Sequence, residues 1–236
     1  MNRILPIAIL LAIAALPAAA WTKASDVRIA RKAAALAPPD LRTVLDRFEG
    51  DYLRGVEMAQ ESNDAAPRIR EQIEKHTAAA ITMIRTNQPM SAVVERLGIL
   101  AHYVADANSP FSAGRDDALA SSRADYEHYF ERRMLKFPTV FYGLAPRFEL
   151  RSYFDRTFAR SARFYPLLKE EYFRYGERRT SSVFDDRSTA FGIASVSYSR
   201  AVSDLVNLYF HIWKEAGGDV RSATAMRGGN LTLHAN

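Results

Sequence analysis

The residues best placed to do chemistry in this sequence are His102 and Asp106, set inside the otherwise apolar stretch Leu97 to Pro110, L-G-I-L-A-H-Y-V-A-D-A-N-S-P. Four positions apart, they share a helix face. An imidazole and a carboxylate one turn apart can grip a divalent cation, because the helix fixes their separation and each offers a lone pair. The same spacing also suits a histidine hydrogen-bonded to its own carboxylate in a core. Glu127 and the neighbouring His128 form a second group, but adjacent residues diverge on an ideal helix and do not make co-ligands. A third group is the set of arginines among aromatics between Phe141 and Arg179: Arg147, Arg151, Arg156, Arg160, Arg163 and Arg174 beside Tyr153, Phe154, Phe158, Phe164 and Tyr172. These suit either an anion-binding surface or a solvated face over core aromatics.

The elements that must position these groups read as helices. Leu97, Leu100, Ala101, Val104 and Ala105 recur at helical spacing, Gly98, Ala101 and Ala105 leave room for close neighbours, and Asn108-Ser109-Pro110 stops the segment. Ser25 is expected to cap a helix from Asp26 to Leu36, ended by Pro38-Pro39. Asp40 opens a second that continues towards Gly55, followed by Arg68 to Thr86, Ser91 onwards, Arg123 to Lys136, Leu150 to Tyr175 with a break at Pro166, and Thr189 to Ala216, stopped by Gly217-Gly218. His211 sits in the apolar pattern of the last helix and reads as a core residue. No β-alternation of useful length is visible, so the expected fold is all-α, a single-domain irregular helical bundle.

Composition narrows the setting. The first 20 residues have a basic start at Arg3, an apolar run from Ile4 to Leu16 and Ala18-Ala19-Ala20 before Trp21, the pattern of a cleaved secretory leader, with a periplasmic or secreted destination. The run is short for a transmembrane anchor. No cysteine is present, so neither a disulfide nor a thiolate-bound metal is available. The formal charge of +5 falls to +4 when Arg3 leaves with the leader, a mild basic excess that favours anionic partners. The expected organisation is a leader at 1–20, one helical domain at 21–221 and a disordered tail at 222–236.

With Trp21 at the new N-terminus and H-Y-x-x-D-x-N-x-P in mid-chain, the sequence resembles the bacterial zinc-dependent phospholipase C and P1-type nuclease superfamily. The resemblance covers nearly the whole mature chain and also takes in D-Y-E-H-Y-F around Glu127. It implies an exported, all-helical metal-dependent phosphodiesterase in which an N-terminal Trp with His, Asp and Glu side chains holds three zinc ions. Carried over residue by residue, the implied metal ligands are Trp21, Asp26 in place of a family histidine, His102, Asp106 and Glu127, with Asp106 the catalytic bridging carboxylate.

The departures from the family pattern are chemical. Gln60 stands where the family has an aspartate, Ser112 and Arg123 stand where it has histidines, and one further histidine has no counterpart, His76 lying too far along the chain. Zinc competes poorly for one or two protein ligands, and an arginine at position 123 can pair with Glu127 and replace a metal electrostatically. The expectation is therefore at most one tightly held ion, zinc or another divalent cation, or none. Two functions follow. One is a phosphoester hydrolase with reduced or altered catalysis. The other is a non-catalytic module binding a phosphoester, a phospholipid, another anionic ligand or a protein, with nucleic acid a weaker match.

Overall fold

A computed structural model describes residues 21–59, 66–112, 117–220 and 231–233. Thr22 begins the fold: its extended backbone and its Oγ1, which accepts from the Ser25 amide at 3.3 Å, cap α1, Lys23–Ala34. The cap therefore falls three residues before the expected Ser25, which lies inside the first turn, and Asp26 sits where the helix dipole favours a carboxylate. The single helix expected from Asp40 is two, α2 (Pro39–Arg47) and α3 (Glu49–Met58), because Phe48 leaves the helical region at φ −114° and ψ 32°.

Next come α4 (Ala66–Arg85) and α5 (Met90–Ala107), joined by a turn in which Asn87 takes φ 54° and the Gln88 amide donates to the Met83 carbonyl at 2.9 Å. A short 3₁₀ turn at Pro110–Ser112 leads to α6 (Asp117–Ala120) and α7 (Arg123–Arg133). Helix α8 (Leu150–Ala162) gives way to α9 (Phe164–Tyr172) four residues before Pro166. That is where a proline ring collides with a helix carbonyl. The longest helix, α10 (Thr189–Glu215), is capped by Ser188 and ends at Gly217, φ 90°.

Helix α5 is the axis of the bundle, packing against α1, α3, α4, α8 and α10. Its contact with α3 is backbone on backbone. A Cβ on Gly98 would lie 2.0 Å from the Tyr52 carbonyl oxygen and one on Gly55 2.0 Å from that of Glu95, so only glycine fits at either point. The hydroxyls of Tyr52 and Tyr209 meet at 2.6 Å in the core and bond to the Ala30 and Leu97 carbonyls, tying α1, α3, α5 and α10 together. One continuous apolar core runs through these elements, and the chain is an all-α single-domain helical bundle. Among the described residues no helix is long and apolar enough to cross a membrane.

One exception to the helical reading lies in the aromatic segment after α7. Thr139–Phe141 forms a strand, β1, paired antiparallel with β2, Leu231–Leu233, with Val140 opposite Thr232. Its other edge is satisfied by side chains of α10 spaced four apart. Ser199 Oγ accepts from Val140 N (3.2 Å) and donates to Pro138 O (2.9 Å), Ser203 Oγ accepts from Tyr142 N (3.1 Å), and Asn207 accepts from Ala145 N (2.6 Å) and donates to Gly143 O (3.1 Å). The helix thus does the work of a neighbouring strand. The leader expected at 1–20 lies outside the described residues, as does the tail expected to be disordered, apart from Leu231–Leu233.

Candidate functional site

Helices α1, α5 and α7 bring the implied ligands together. Asp26 and Trp21 come from the start of the described chain, His102 and Asp106 from α5, and Glu127 from α7. All are buried: Asp26, His102 and Asp106 are 0% exposed, Trp21 1% and Glu127 8%. Trp21 is anchored through its indole Nε1, which donates to the Ala105 carbonyl at 2.8 Å, and its ring lies 3.9 Å from that of Phe130. Phe111 packs on Tyr126 close by, so the P-F-S segment closes this corner with an aromatic ring.

His102 is the hub. Its Nδ1 lies 2.7 Å from Asp26 Oδ2, a hydrogen bond, and its Nε2 faces Asp106 Oδ2 at 3.5 Å. The imidazole is therefore set between two carboxylates, one on each nitrogen. Burial would depress its pKa, but Asp106 and Asp26 outweigh burial and hold it up at about 9. Glu127 is engaged separately. The Arg123 Nε donates to its Oε1 at 2.8 Å, one turn away on α7. Burial pushes Glu127 up to about 7 against the pull of Arg123, with Asp106 and Asp26 adding repulsion. That mutual repulsion places all three carboxylates in one electrostatic neighbourhood.

The donor set tests whether a metal suits this centre. Among the described residues the side chains do not make up the donor set of a three-zinc cluster. Zinc takes about four ligands at each ion, at least three of them from protein, and among the described residues no group of three or more histidine or acidic side chains is placed to hold an ion. Asp26 lies on the far side of the ring from Asp106, where it orients the imidazole as metal-bound histidines are oriented by a carboxylate. Glu127 is committed to Arg123. His102 Nε2 and Asp106 Oδ2 face each other on the ring's other side. Nε2 is buried without a hydrogen-bond partner, and 3.5 Å is close to the separation, about 3.3 Å, of two ligands sharing one tetrahedral ion. Gln60 lies outside the described residues.

The other expected groups separate. His128 is exposed, whereas Glu127 beside it is buried. His76 is buried on α4, where its Nδ1 pairs with Arg96 Nη1 at 2.9 Å. His211, expected in the core, is only half-buried at the end of a cavity beside Phe148. Phe154, Phe158 and Tyr172 are core, and Arg147, Arg151 and Arg163 are solvated. Arg174 bonds to Glu171, while Arg156 and Arg160 line one cleft with Arg200.

Arg200 and Asp204 carry no motif in the sequence. The signal available was a charged pair, four apart, in the apolar run of α10. Asp204 is buried and accepts from Asn108 Nδ2 (3.1 Å), Tyr153 Oη (2.7 Å), Thr157 Oγ1 (3.0 Å) and Arg160 Nη2 (2.7 Å), joining α5, α8 and α10. Compared with known proteins, the chain matches no family model and no curated protein.

Proposed function

We propose that this protein is an exported helical binding protein for a ligand bearing a phosphate or similar anionic group, on a scaffold resembling the phospholipase C and P1 nuclease superfamily, with internal ion pairs in place of a catalytic zinc cluster. The observation that carries the reading is His102, whose two nitrogens face Asp26 and Asp106 while Arg123 engages Glu127. Metal-assisted phosphoester hydrolysis needs an ion with an open position and a bound water of lowered pKa. Here two positive side chains, His102 and Arg123, balance most of the charge of three buried carboxylates, and they leave few donors uncommitted. The basic excess and the leader pattern support an anionic ligand met outside the cytoplasm.

A second reading is favoured by one measurement, the 3.5 Å gap between His102 Nε2 and Asp106 Oδ2. A single divalent cation held there by His102 and Asp106, with Asp26 fixing the ring, would supply Lewis-acid chemistry when bound. Hydrolysis of bis(p-nitrophenyl) phosphate by the purified protein with zinc, manganese or magnesium supplied separates the two. The binding reading expects no turnover above buffer. Metal-dependent turnover lost in Asp106→Asn would establish the hydrolase instead.

A further inference from the structure

Arg156 and Arg160 on α8, with Arg200 on α10, line a cleft of about 220 Å³ whose outer wall is the segment Tyr142 to Pro146. At its base Asp204 is saturated by four donors, of which Arg160 is the only charged one. Three guanidiniums thus stand against one carboxylate. Among the described residues neither Arg156 nor Arg200 has a carboxylate at ion-pair distance. The Arg200 guanidinium carbon lies over the Tyr142 ring, 3.4 Å from its centroid, a contact that does not use its N–H groups. The Nε atoms of Arg200 and Arg160 are buried and make no hydrogen bond. Unspent donors of this kind cost stability unless something accepts from them.

The geometry points to a binding site for a phosphate or phosphomonoester group in this cleft, held by Arg156, Arg160 and Arg200. It rests on the binding reading and gives that reading a place, on the face shared by α8 and α10 and away from the buried centre. The residues lining the cleft carry three positive charges and one negative, offset in part by Glu149, which Arg156 reaches electrostatically, and this positive balance favours a phosphomonoester, which carries about −1.5 to −2 near neutral pH. Guanidinium forks match phosphate oxygens two at a time. A second cavity, about 150 Å³, shares Leu144, Ala145, Pro146 and Asn207 with the first and adds Phe148 and Phe210. An ester with an apolar body fits the pair of cavities better than inorganic phosphate fits one.

The test is calorimetric titration of the full protein with phenyl phosphate and with inorganic phosphate, beside co-sedimentation with phosphatidylcholine vesicles containing phosphatidic acid. We expect phenyl phosphate to bind more tightly than inorganic phosphate. Arg156→Gln and Arg200→Gln should each weaken binding by about tenfold or more while the helical circular dichroism spectrum and a cooperative melt are retained, and Arg200→Lys should restore part of the loss. Capture by phosphatidic acid vesicles that Arg156→Gln and Arg200→Gln abolish would support the site with a lipid headgroup as the source. Tighter binding of phenyl phosphate would support it with a soluble ester. No binding of any probe, or binding that both glutamine variants leave unchanged, would overturn the site. Binding lost in Asp106→Asn but kept in Arg200→Gln would overturn it too and move the ligand to the buried centre, leaving the binding reading intact. Turnover of bis(p-nitrophenyl) phosphate would sink the binding reading while titration still reported on the cleft.

Discussion

The buried centre around His102 and the cleft around Asp204 are built from the same chemical groups with opposite balances. At His102 three carboxylates meet two cations, with Asp26, His102, Asp106 and Glu127 at 8% exposure or less and only the Arg123 side chain, 16% exposed, reaching towards water. At Asp204 three guanidiniums meet one carboxylate, and the Arg160 side chain is still 28% exposed. The difference shows what burial permits. Sealed charge must be matched by neighbouring side chains, because its desolvation cost has nowhere else to go. A half-open cleft can carry surplus charge, since water solvates it until a ligand arrives. The contrast is why the cleft, and not the centre, is proposed as the place for binding.

Removing Asp204 should have the largest effect on that contrast. In Asp204→Ala the Arg160 guanidinium loses its carboxylate and Asn108, Tyr153 and Thr157 lose their acceptor, a loss of about 3–5 kcal/mol in urea unfolding. Burial and Asp204 together raise the Tyr153 hydroxyl pKa, so the tyrosine remains a donor there throughout the accessible pH range. An Asp204→Ala protein as stable as the parent would mean that Arg160 is held by something other than this hub.

At the other centre, Asp106→Asn keeps the shape but removes one of the two charges facing His102. It should cost about 1–3 kcal/mol. If His102 is the shared cation, His102→Ala should cost at least as much, because it strips both carboxylates of their partner at once. A His102→Ala protein more stable than Asp106→Asn would break the comparison.

A second buried histidine gives the opposite case. His76 faces Arg96 instead of carboxylates. Burial first, then Arg96 and Lys75, hold its pKa down at about 4. A folded-state pKa below the ordinary 6.5 means that the unfolded chain binds the proton more readily. The contribution is whole above pH 6.5 and is lost as pH falls towards 4. Read as the difference between the parent and His76→Gln, this contribution to the unfolding free energy should fall by on the order of 1–2 kcal/mol from pH 7 to pH 5, beside the opposite trend that the raised pKa values of His102 and Glu127 give both proteins. An equal slope in both proteins would show that His76 titrates as an ordinary histidine.

Arg123→Gln should be the mildest change, about 1 kcal/mol. Glu127 already sits near pH 7 and can take up a proton when its partner leaves. The same variant tests the sealed centre, since Glu127 freed from Arg123 would offer a metal one more donor.

Much of the fold was legible in the sequence because helix stops are written in single residues. Pro166 breaks α8 from α9, Asn87 turns α4 into α5, and Gly217 ends α10. The break at Phe48 was not legible, since nothing local forbids a helix there and the turn is set by how α2 and α3 pack. The strand Thr139–Phe141 was hidden for a related reason. Its edge is satisfied by Ser199, Ser203 and Asn207 on a helix some sixty residues away, and no strand alternation records that. Of the site, His102 and Asp106 were visible from spacing, because one helix fixes both. Asp26 entered by resemblance alone, and its place at the ring's other nitrogen follows from how α1 packs on α5. Arg200 stayed unseen because the cleft joins it to Arg156 across two helices.

The central claim, that side chains rather than a metal cluster balance the charge around His102, is tested most directly by thermal melting of the purified protein in chelator and in excess zinc. An ion bound only by the folded state at a hundredfold excess over its dissociation constant adds ~2.7 kcal/mol, a shift of several degrees. The account predicts superimposable transitions in the two buffers, for the parent and for Asp106→Asn alike. A parent transition raised by several degrees in zinc, with the rise absent in Asp106→Asn, would contradict it and put an ion between His102 and Asp106.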